Sequence, residues 1–261
     1  MSDSAEKNVL VVDVGNTVTR LGLFDGTGLT GTLSLTTPER LTADEAWLAL
    51  SGALGSLGVG SVDGTILGCV VPPLSDVWRD ALSRASETRP LVVGPGLRTG
   101  VRMRYDDPSE VGADRVADVV AAREAHGAPV VVVDLGTTTN FEVVDETGAF
   151  AGGIIAPGVA LGARSLSTAA ARLPLIELRA PATVVGRSTR AAMESGVVLG
   201  EVARIDGLLD AIAAETGVDA PVVLTGDGAD EMASLLRHDV QVDDTLTLRG
   251  LWALWRANQR P

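Results

Sequence analysis

The stretch Val11-Val12-Asp13-Val14-Gly15-Asn16-Thr17 occurs a second time, slightly altered, as Val132-Val133-Asp134-Leu135-Gly136-Thr137-Thr138. Each copy is typical of a buried strand that ends in a carboxylate, a glycine and small polar side chains, and a second strand-like run and a turn follow it. A single copy is more typical of an ordinary Asp-Gly turn. Two copies, near the starts of the two halves of the chain, predict a duplicated unit whose hairpins face each other across a cleft.

The composition is that of a globular protein that does not depend on nucleic acid. The 261 residues are 46% hydrophobic and carry a formal net charge of −13, whereas binding to a phosphate backbone needs clustered Lys and Arg. Nucleic acid and anionic membranes are therefore not expected as partners. Cys69 is the only cysteine, so no intramolecular disulfide and no zinc-thiolate cluster can form. The short polar start, Met1 to Lys7, predicts a cytoplasmic protein.

Strand-like and helix-like runs follow a similar plan in the two halves. The first half shows three strands, a helix, a strand, a helix and a strand, and its first helix begins at the capping-box pattern Thr42-Ala43-Asp44-Glu45. The second half repeats the hairpin and the third strand, and it places a further strand at Pro221–Thr225 among its helices. Strands followed by helices, twice over, predict an α/β class with a mixed central sheet in each half.

The repeated carboxylates lie where a buried strand reaches the surface. In open α/β sheets, ligands collect at the carboxyl ends of strands, and Gly15 and Gly136 allow the backbone to approach a phosphate closely. Because a carboxylate repels phosphate unless a cation lies between them, the pair Asp13 and Asp134 predicts bound Mg²⁺ or another ion. The side chains that can donate hydrogen bonds to phosphate oxygens are Asn16, Thr17, Thr137 and Thr138.

The segment Tyr105-Asp106-Asp107-Pro108-Ser109-Glu110-Val111-Gly112-Ala113-Asp114-Arg115 is the next chemical signal. In isolation, an acidic residue beside a basic residue at the start of a helix is usually a cap with a surface charge. The functional interpretation makes Asp114 a base toward an alcohol and gives Arg115 a forked contact with a substrate carboxylate.

With these motifs in place, the chain resembles the type III pantothenate kinases, which belong to the acetate-kinase, sugar-kinase and actin superfamily. The resemblance runs nearly end to end, and the order and spacing of the motifs carry it. The matching motifs are Asp13 to Thr17, Glu110 to Arg115, Asp134 to Thr137, Gly152 to Gly158, Val185 to Thr189, Glu194 to Gly196 and Leu246 to Leu251.

The resemblance implies a fold and an assembly. The fold is α/β, with two tandem ribonuclease-H-like (actin-like) α/β domains, mixed central sheets and an interdomain cleft. We expect an N-terminal actin-like domain in residues 1–115 and a C-terminal actin-like domain in residues 116–261. The resemblance also implies a homodimer built partly on the long helical stretch that follows Ser188.

The resemblance further implies roles for single residues. Asp114 would accept a proton from the substrate, and Asp134 would hold a monovalent cation, K⁺ or NH₄⁺. The residues implied to line the ATP phosphates are Asp13, Val14, Gly15, Asn16, Thr17, Val18, Thr19 and Arg20, and Thr137 would also contact ATP. The residues implied to contact pantothenate are Tyr105, Gly112, Ala113, Asp114, Arg115 and Thr189.

The implied activity is the ATP- and Mg²⁺-dependent phosphorylation of pantothenate to 4'-phosphopantothenate, the first step of coenzyme A biosynthesis. The chain departs from the family pattern at a few positions within or near the phosphate motifs. These departures leave two alternatives open, which are a kinase of a different small alcohol on the same fold and a non-catalytic regulatory homologue. The departing residues are Val18, Arg20, Thr138, Asn140, Glu142 and Asp227.

Overall fold

The computed structural model describes residues 7–170 and 172–259. The packing of the chain divides it into two compact units. The first unit contains the residues up to Ala125 together with those from Thr245 onward, and the second unit runs from His126 to Asp244.

The first unit is built on a five-stranded mixed sheet with the strand order β3-β2-β1-β4-β5. Strand β1 is antiparallel to β2 and parallel to β4, so it occupies the centre of the sheet. A short 3₁₀ turn at Pro108–Glu110 precedes the third helix. The elements are β1 (Val9–Val14), β2 (Val18–Phe24), β3 (Leu29–Thr36), α1 (Ala43–Ser56), β4 (Gly64–Cys69), α2 (Pro72–Ala85), β5 (Leu91–Val92), α3 (Ala113–His126) and α8 (Leu246–Ala257).

Helices cover both faces of this first sheet. On one face, the even-numbered residues of β1, such as Leu10 and Val12, pack with Leu50 of α1 and Trp78 of α2. On the other face, Val9 and Val11 pack with residues of α3 and α8. The alternation of a strand therefore fixes Asp13 on the side of the sheet that α3 and α8 cover.

The second unit has its own five-stranded mixed sheet, with the order β10-β9-β6-β7-β8. The sequence of β6 is almost entirely valine, which suits a central strand that is buried on both faces. A π-helical turn at Ser195–Leu199 joins α5 to α6. The elements are β6 (Val130–Leu135), β7 (Thr138–Val144), β8 (Phe150–Pro157), α4 (Val159–Ala169), α5 (Thr189–Glu194), α6 (Gly200–Thr216), β9 (Val222–Gly226), α7 (Ala229–Ala233) and β10 (Val240–Val242).

The two sheets share one topology. Strands β6, β7, β8, β9 and β10 take the places of β1, β2, β3, β4 and β5, and each pairing has the same parallel or antiparallel sense. The repeated sequence motif begins the same hairpin in both sheets. The predicted α/β class, with a mixed central sheet in each half, is therefore confirmed.

The packing units group the chain differently from the domain bounds of 1–115 and 116–261 that the sequence suggested. Helix α3, expected mainly in the second domain, and α8, expected at its end, both pack on the first sheet. The apolar face of α8 explains why this helix packs on the first sheet. Its residues Leu248, Leu251 and Leu254 pack with Val9 and Val11 of β1 and are at most 3% exposed. Within the described residues, no helix is both long and apolar enough to cross a membrane.

Candidate active site

The first hairpin presents a short polar tip directly after Asp13. The Gly15 N–H donates a hydrogen bond to the Val18 carbonyl at 3.0 Å, which closes the turn. A Cβ atom on Gly15 would lie 2.9 Å from that carbonyl oxygen, so the turn needs glycine here. Asn16 and Thr17 are exposed at the tip.

Asp13 lies between two very different neighbours in the sheet. Arg20 of β2 is its direct cross-strand partner, and Gly68 of β4 is its partner on the other side. A Cβ atom on Gly68 would lie 3.0 Å from the Leu251 side chain of α8 and 3.6 Å from the Ala113 Cβ, so this glycine makes room for α8 with the start of α3 beside it. Asp13 and the start of α3 therefore lie on the same face of the first sheet.

Three of the residues implied to line the ATP phosphates are buried, namely Asp13, Val14 and Thr19. The Val14 side chain is fully buried, and Thr19 is 1% exposed with its hydroxyl 2.8 Å from the Thr37 hydroxyl. The Thr37 N–H also donates to the Thr17 carbonyl at 2.9 Å. These contacts brace the hairpin from behind, so any contact from Val14 or Thr19 to a nucleotide would have to involve their backbone atoms.

Asp114 occupies the first turn of α3. Its Oδ1 accepts a hydrogen bond from the Arg115 N–H at 2.7 Å. A Cβ atom on Gly112 would lie 2.5 Å from the same oxygen, so the carboxylate lies directly against this glycine. Burial raises the pKa of Asp114 above its ordinary value, and the Arg115 N–H and guanidinium only partly offset this effect. A carboxylate with a raised pKa is a better proton acceptor than an exposed aspartate.

Arg115 is held by Tyr105. The Arg115 residue is 5% exposed, and its Nη1 donates a hydrogen bond to the Tyr105 hydroxyl at 3.0 Å. The guanidinium carbon also lies 5.7 Å from the centre of the Tyr105 ring. The structure thus brings together Tyr105, Asp114 and Arg115, three residues that the sequence assigned to substrate contact.

A cavity of about 640 Å³ opens beside the start of α3. Its volume falls within the range of small-molecule sites, and its walls are mainly apolar. Burial raises the pKa of the Cys69 thiol in this wall, and the thiol donates to the Val71 carbonyl, so it stays protonated and is not a nucleophile. The lining includes Val70, Val93, Leu97, Met103, Val111 and Ala113.

The second hairpin closes in the same manner as the first. The Gly136 N–H donates to the Thr138 carbonyl at 3.0 Å, and the Gly158 N–H donates to the Thr137 carbonyl at 3.0 Å. A Cβ atom on Gly158 would collide with the backbone of Gly136 and Thr137, so Gly158 forms a tight support behind the turn. Asp134, Thr137 and Thr138 are partly exposed.

Two other residues noted in the sequence also lie in the second unit. The Asp227 N–H donates to the Leu135 carbonyl at 2.6 Å, which fixes the turn after β9 beside the second hairpin, and the Asp227 side chain is exposed. Thr189 is exposed at the first position of α5.

The sequence reasoning missed Asp118, which lies one helical turn after Asp114. Asp118 is fully buried, and its Oδ1 accepts a hydrogen bond from the Thr247 hydroxyl at 2.6 Å. This bond joins α3 to α8. A charged residue on the otherwise apolar face of a predicted helix was the available signal, because buried carboxylates need a partner.

Both sheets, with one strand order and an Asp-Gly hairpin in each, define an actin-like α/β protein. Three solved structures share this fold with TM-scores of 0.57, 0.53 and 0.52. They are ethanolamine utilization protein EutJ from Carboxydothermus hydrogenoformans (17% identity, 94% of this chain and 88% of that chain), (R)-2-hydroxyglutaryl-CoA dehydratase component A from Acidaminococcus fermentans (13%, 97% and 100%), and a ROK family glucokinase from Streptomyces griseus (14%, 96% and 98%). At these identities the likeness concerns the fold alone.

Sequence comparison is more specific. The family model for type III pantothenate kinase matches residues 9–211. Type III pantothenate kinases from Brevibacillus brevis and Pelobacter propionicus are 40% and 39% identical to the chain, covering 96% of it and 99% and 100% of the relatives. The chain belongs to the type III pantothenate kinase family.

Proposed function

We propose that this protein transfers the γ-phosphoryl group of ATP to pantothenate and so forms 4'-phosphopantothenate, the first step of coenzyme A biosynthesis. The observation that carries the proposal is the full-length family match together with an intact Asp114–Arg115 pair at the start of α3. The Arg115–Tyr105 hydrogen bond, and a cavity of about 640 Å³ whose lining reaches Gly112 and Ala113, support a small carboxylate-bearing alcohol as the acceptor.

Asp114 is proposed as the proton acceptor. As the bond between the substrate oxygen and the γ-phosphorus forms, the bond from that phosphorus to the bridging oxygen breaks, and ADP leaves with the electron pair. The proton of the primary hydroxyl passes to Asp114. Because an aliphatic alcohol is a much weaker acid than a carboxylic acid, Asp114 orients the oxygen first and takes the proton late.

Arg115 is proposed to bind the carboxylate of pantothenate. Its planar guanidinium can offer two parallel N–H donors to a carboxylate. The Tyr105 hydroxyl engages one nitrogen, Nη1, and this bond fixes the orientation of the fork. Gly112 and Ala113 would contact the same substrate through their backbone, and Thr189 is proposed as a further contact.

The first hairpin is proposed to bind the ATP phosphates with Mg²⁺. Mg²⁺ is usually held by one or two carboxylates together with substrate phosphates. Asp13, which precedes the hairpin tip near the end of β1, would supply that carboxylate. When bound, Mg²⁺ would neutralise phosphate charge. The Asn16 and Thr17 side chains would donate to phosphate oxygens, and the remaining positions from Val14 to Arg20 would complete the loop. Thr137 of the second hairpin would also contact ATP.

Asp134 is proposed to hold a monovalent cation, K⁺ or NH₄⁺. A Cβ atom on Gly226 would lie 2.6 Å from Asp134 Oδ1, so the carboxylate lies closely over this glycine at the end of β9. Carboxylate, carbonyl and amide oxygens are the ligands that hard cations prefer, and the end of this sheet supplies them.

A homodimer is proposed on the exposed apolar side chains of the second unit. Leu175, Val184 and Val185 are 72%, 74% and 78% exposed, so burying them between subunits would remove apolar surface from water. Light scattering of the purified protein would give a mass near twice that of the chain. The cytoplasmic location stays a prediction from the sequence.

One coupled assay tests the activity. The protein is incubated with ATP, Mg²⁺, K⁺ and pantothenate, and ADP release is followed. Release that depends on pantothenate supports the proposal. Release only with a different small alcohol would favour the alternative kinase. The departures from the family pattern at Asn140, Glu142 and Asp227 are the reason to test it. No release with any alcohol would identify a non-catalytic homologue.

A further inference from the structure

The two repeats differ in the residues that flank the central aspartate. In the first sheet, Asp13 lies between Arg20 and Gly68. In the second sheet, Asp134 lies between Asn140 of β7 and Thr225 of β9. The first aspartate thus has a cationic side chain directly opposite, whereas the second is flanked by two neutral side chains that carry oxygen atoms.

The three cross-strand neighbours of the second sheet, Asp134, Asn140 and Thr225, lie on one face of that sheet. The opposite face, which packs on α6, carries Val133, Phe141 and Leu224. Successive side chains alternate between faces, so Asp134, Asn140 and Thr225 point to the other side. Direct cross-strand partners have Cα atoms about 4.5–5.5 Å apart, which is close enough for their side-chain oxygens to share one ion.

Asn140 carries a polar atom that the protein does not satisfy. The residue is 5% exposed, and its buried Oδ1 has no hydrogen-bond partner among the described residues. Leaving a buried acceptor without a hydrogen-bond partner destabilises the folded state. Such an atom in a folded protein therefore calls for an explanation, and a bound ion is one of the recognised explanations.

We propose that Asn140 Oδ1 is a ligand of the monovalent cation at Asp134, with the Thr225 hydroxyl as a third side-chain donor. This inference rests on the cation site in the proposed function and adds two ligands to it. Asp134 supplies the negative charge, while Asn140 and Thr225 supply neutral oxygens, so the row suits a singly charged hard ion. The first repeat lacks these neutral side-chain oxygens, because Arg20 and Gly68 flank Asp13 there.

Thermal unfolding in the absence of ATP and pantothenate tests the proposal. KCl is titrated against choline chloride at constant ionic strength, with the full-length wild type, Asn140→Leu, Asn140→Asp and Thr225→Val. An ion that binds only the folded state stabilises it by RT ln(1 + [ion]/Kd), so the melting temperature rises with ion concentration once that concentration exceeds Kd. We expect K⁺ to stabilise the wild type, and we expect Asn140→Leu to need roughly 10–100-fold more K⁺ for the same effect, the range seen when metal-site partners are lost.

The other variants keep the test decisive. Asn140→Asp retains an oxygen ligand and adds charge, so it should respond at wild-type or lower K⁺ concentrations even if Asn140→Leu fails to fold. Thr225→Val should need more K⁺ than the wild type. Asn8→Leu, in the first unit, serves as the matched control and should follow the wild-type curve.

The possible outcomes separate this inference from the proposed function. An unchanged K⁺ response in Asn140→Leu, or a lost response in Asn140→Asp, would overturn the role of Asn140. A wild type that phosphorylates pantothenate but gains no stability from K⁺ would overturn the inference while the proposed function stands. A K⁺ response lost in Asn140→Leu supports the cation ligand even if the acceptor alcohol proves to be a different one.

Discussion

Asp114 combines burial with backbone hydrogen bonds to its carboxylate, and that combination determines its chemistry. The Arg115 N–H at 2.7 Å orients the carboxylate, while burial raises its pKa. Gly112 leaves the space that the carboxylate occupies. The motif from Gly112 to Arg115 therefore places a basic oxygen of the Asp114 carboxylate at the start of α3.

Replacing this carboxylate tests its role in catalysis. Asp114→Asn keeps the shape of the side chain but cannot accept the proton, so we expect kcat to fall by roughly 10²–10⁴-fold with little change in the binding of pantothenate. Steady-state kinetics and calorimetric binding would measure the two effects. Asp106→Asn, an exposed neighbour, is the control, and equal losses in both variants would remove Asp114 from the mechanism.

The raised pKa of Asp114 also predicts a pH dependence of stability. An exposed aspartate in the unfolded chain has a pKa of about 3.9, and the pKa of Asp114 in the folded state is higher. Between these two pKa values the folded state binds more protons, so stability is lost as pH rises through the window. Asp114→Asn has no carboxyl group to titrate here, so its stability does not fall in this way as pH rises. Relative to the wild type, its free energy of unfolding in urea should therefore increase from about pH 4 to pH 7. A constant or shrinking difference would contradict the assignment.

Arg115 allows a test of carboxylate recognition. Arg115→Lys keeps the charge but loses the planar fork, so we expect a higher KM for pantothenate at nearly unchanged kcat. Arg102→Lys, at an exposed position in the same unit, should leave KM unchanged. If Arg115 acts only as a structural partner of Tyr105, KM will stay near the wild-type value and the melting temperature will fall instead.

At the scale of residues, the sequence predicted which side chains lie together locally better than it predicted the contacts that support them. Asp114, Arg115 and Tyr105 are close in sequence, and a local motif suffices to bring them together. Thr19 and Asp118 could not be read in this way, because their partners Thr37 and Thr247 come from distant segments. The side chain of Thr19 was expected near a nucleotide, and its burial depends on a tertiary contact.

At the scale of elements, α3 carries the proposed base and α8 holds α3 in position. Gly250 of α8 lies so close to the Ala117 backbone that a Cβ atom there would overlap it. The Thr247–Asp118 hydrogen bond joins the same two helices. The start of α3 is thus fixed from behind by the last helix of the chain.

A single methyl group tests this helix contact. Gly250→Ala forces α8 away from α3, and we expect it to lower the free energy of unfolding by about 1–3 kcal/mol, as overpacking does. Gly207→Ala in α6 is the matched control, since no atom lies within 4 Å of its added Cβ. Removing glycine from a helix interior should stabilise the control by about 0.5–1 kcal/mol. Urea denaturation measures both, and a neutral Gly250→Ala would show that the helices are not tightly locked.

Element bounds were predictable where the pattern was long and local. The capping box at Thr42 and Glu45 begins α1 as expected, and the apolar runs before both aspartates are strands. Strand β10 was missed because its three residues are too short to show a period. Helix α7 is short and ends at Ala233. The segment after it is held by Asp206, whose carboxylate accepts the Arg237 and His238 N–H groups.

At the scale of the whole molecule, the repeated motif predicted the duplicated sheet correctly. Strand order follows from local hairpins and from helical connections between parallel strands, both of which leave marks in the sequence. The sequence does not predict that the last helix, α8, packs in the first unit. A helix that is apolar on one face specifies that it packs, but the sequence pattern does not specify against which sheet.

The most direct test of the account is identification of the product. Purified protein is incubated with ATP, Mg²⁺, K⁺ and pantothenate, and the mixture is analysed by mass spectrometry and phosphorus NMR, with Asp114→Asn in parallel. A pantothenate kinase will form 4'-phosphopantothenate, with the phosphate on the primary hydroxyl, and Asp114→Asn will form this product much more slowly. Absence of this product from the wild-type reaction, or equal rates in both proteins, would contradict the proposed function.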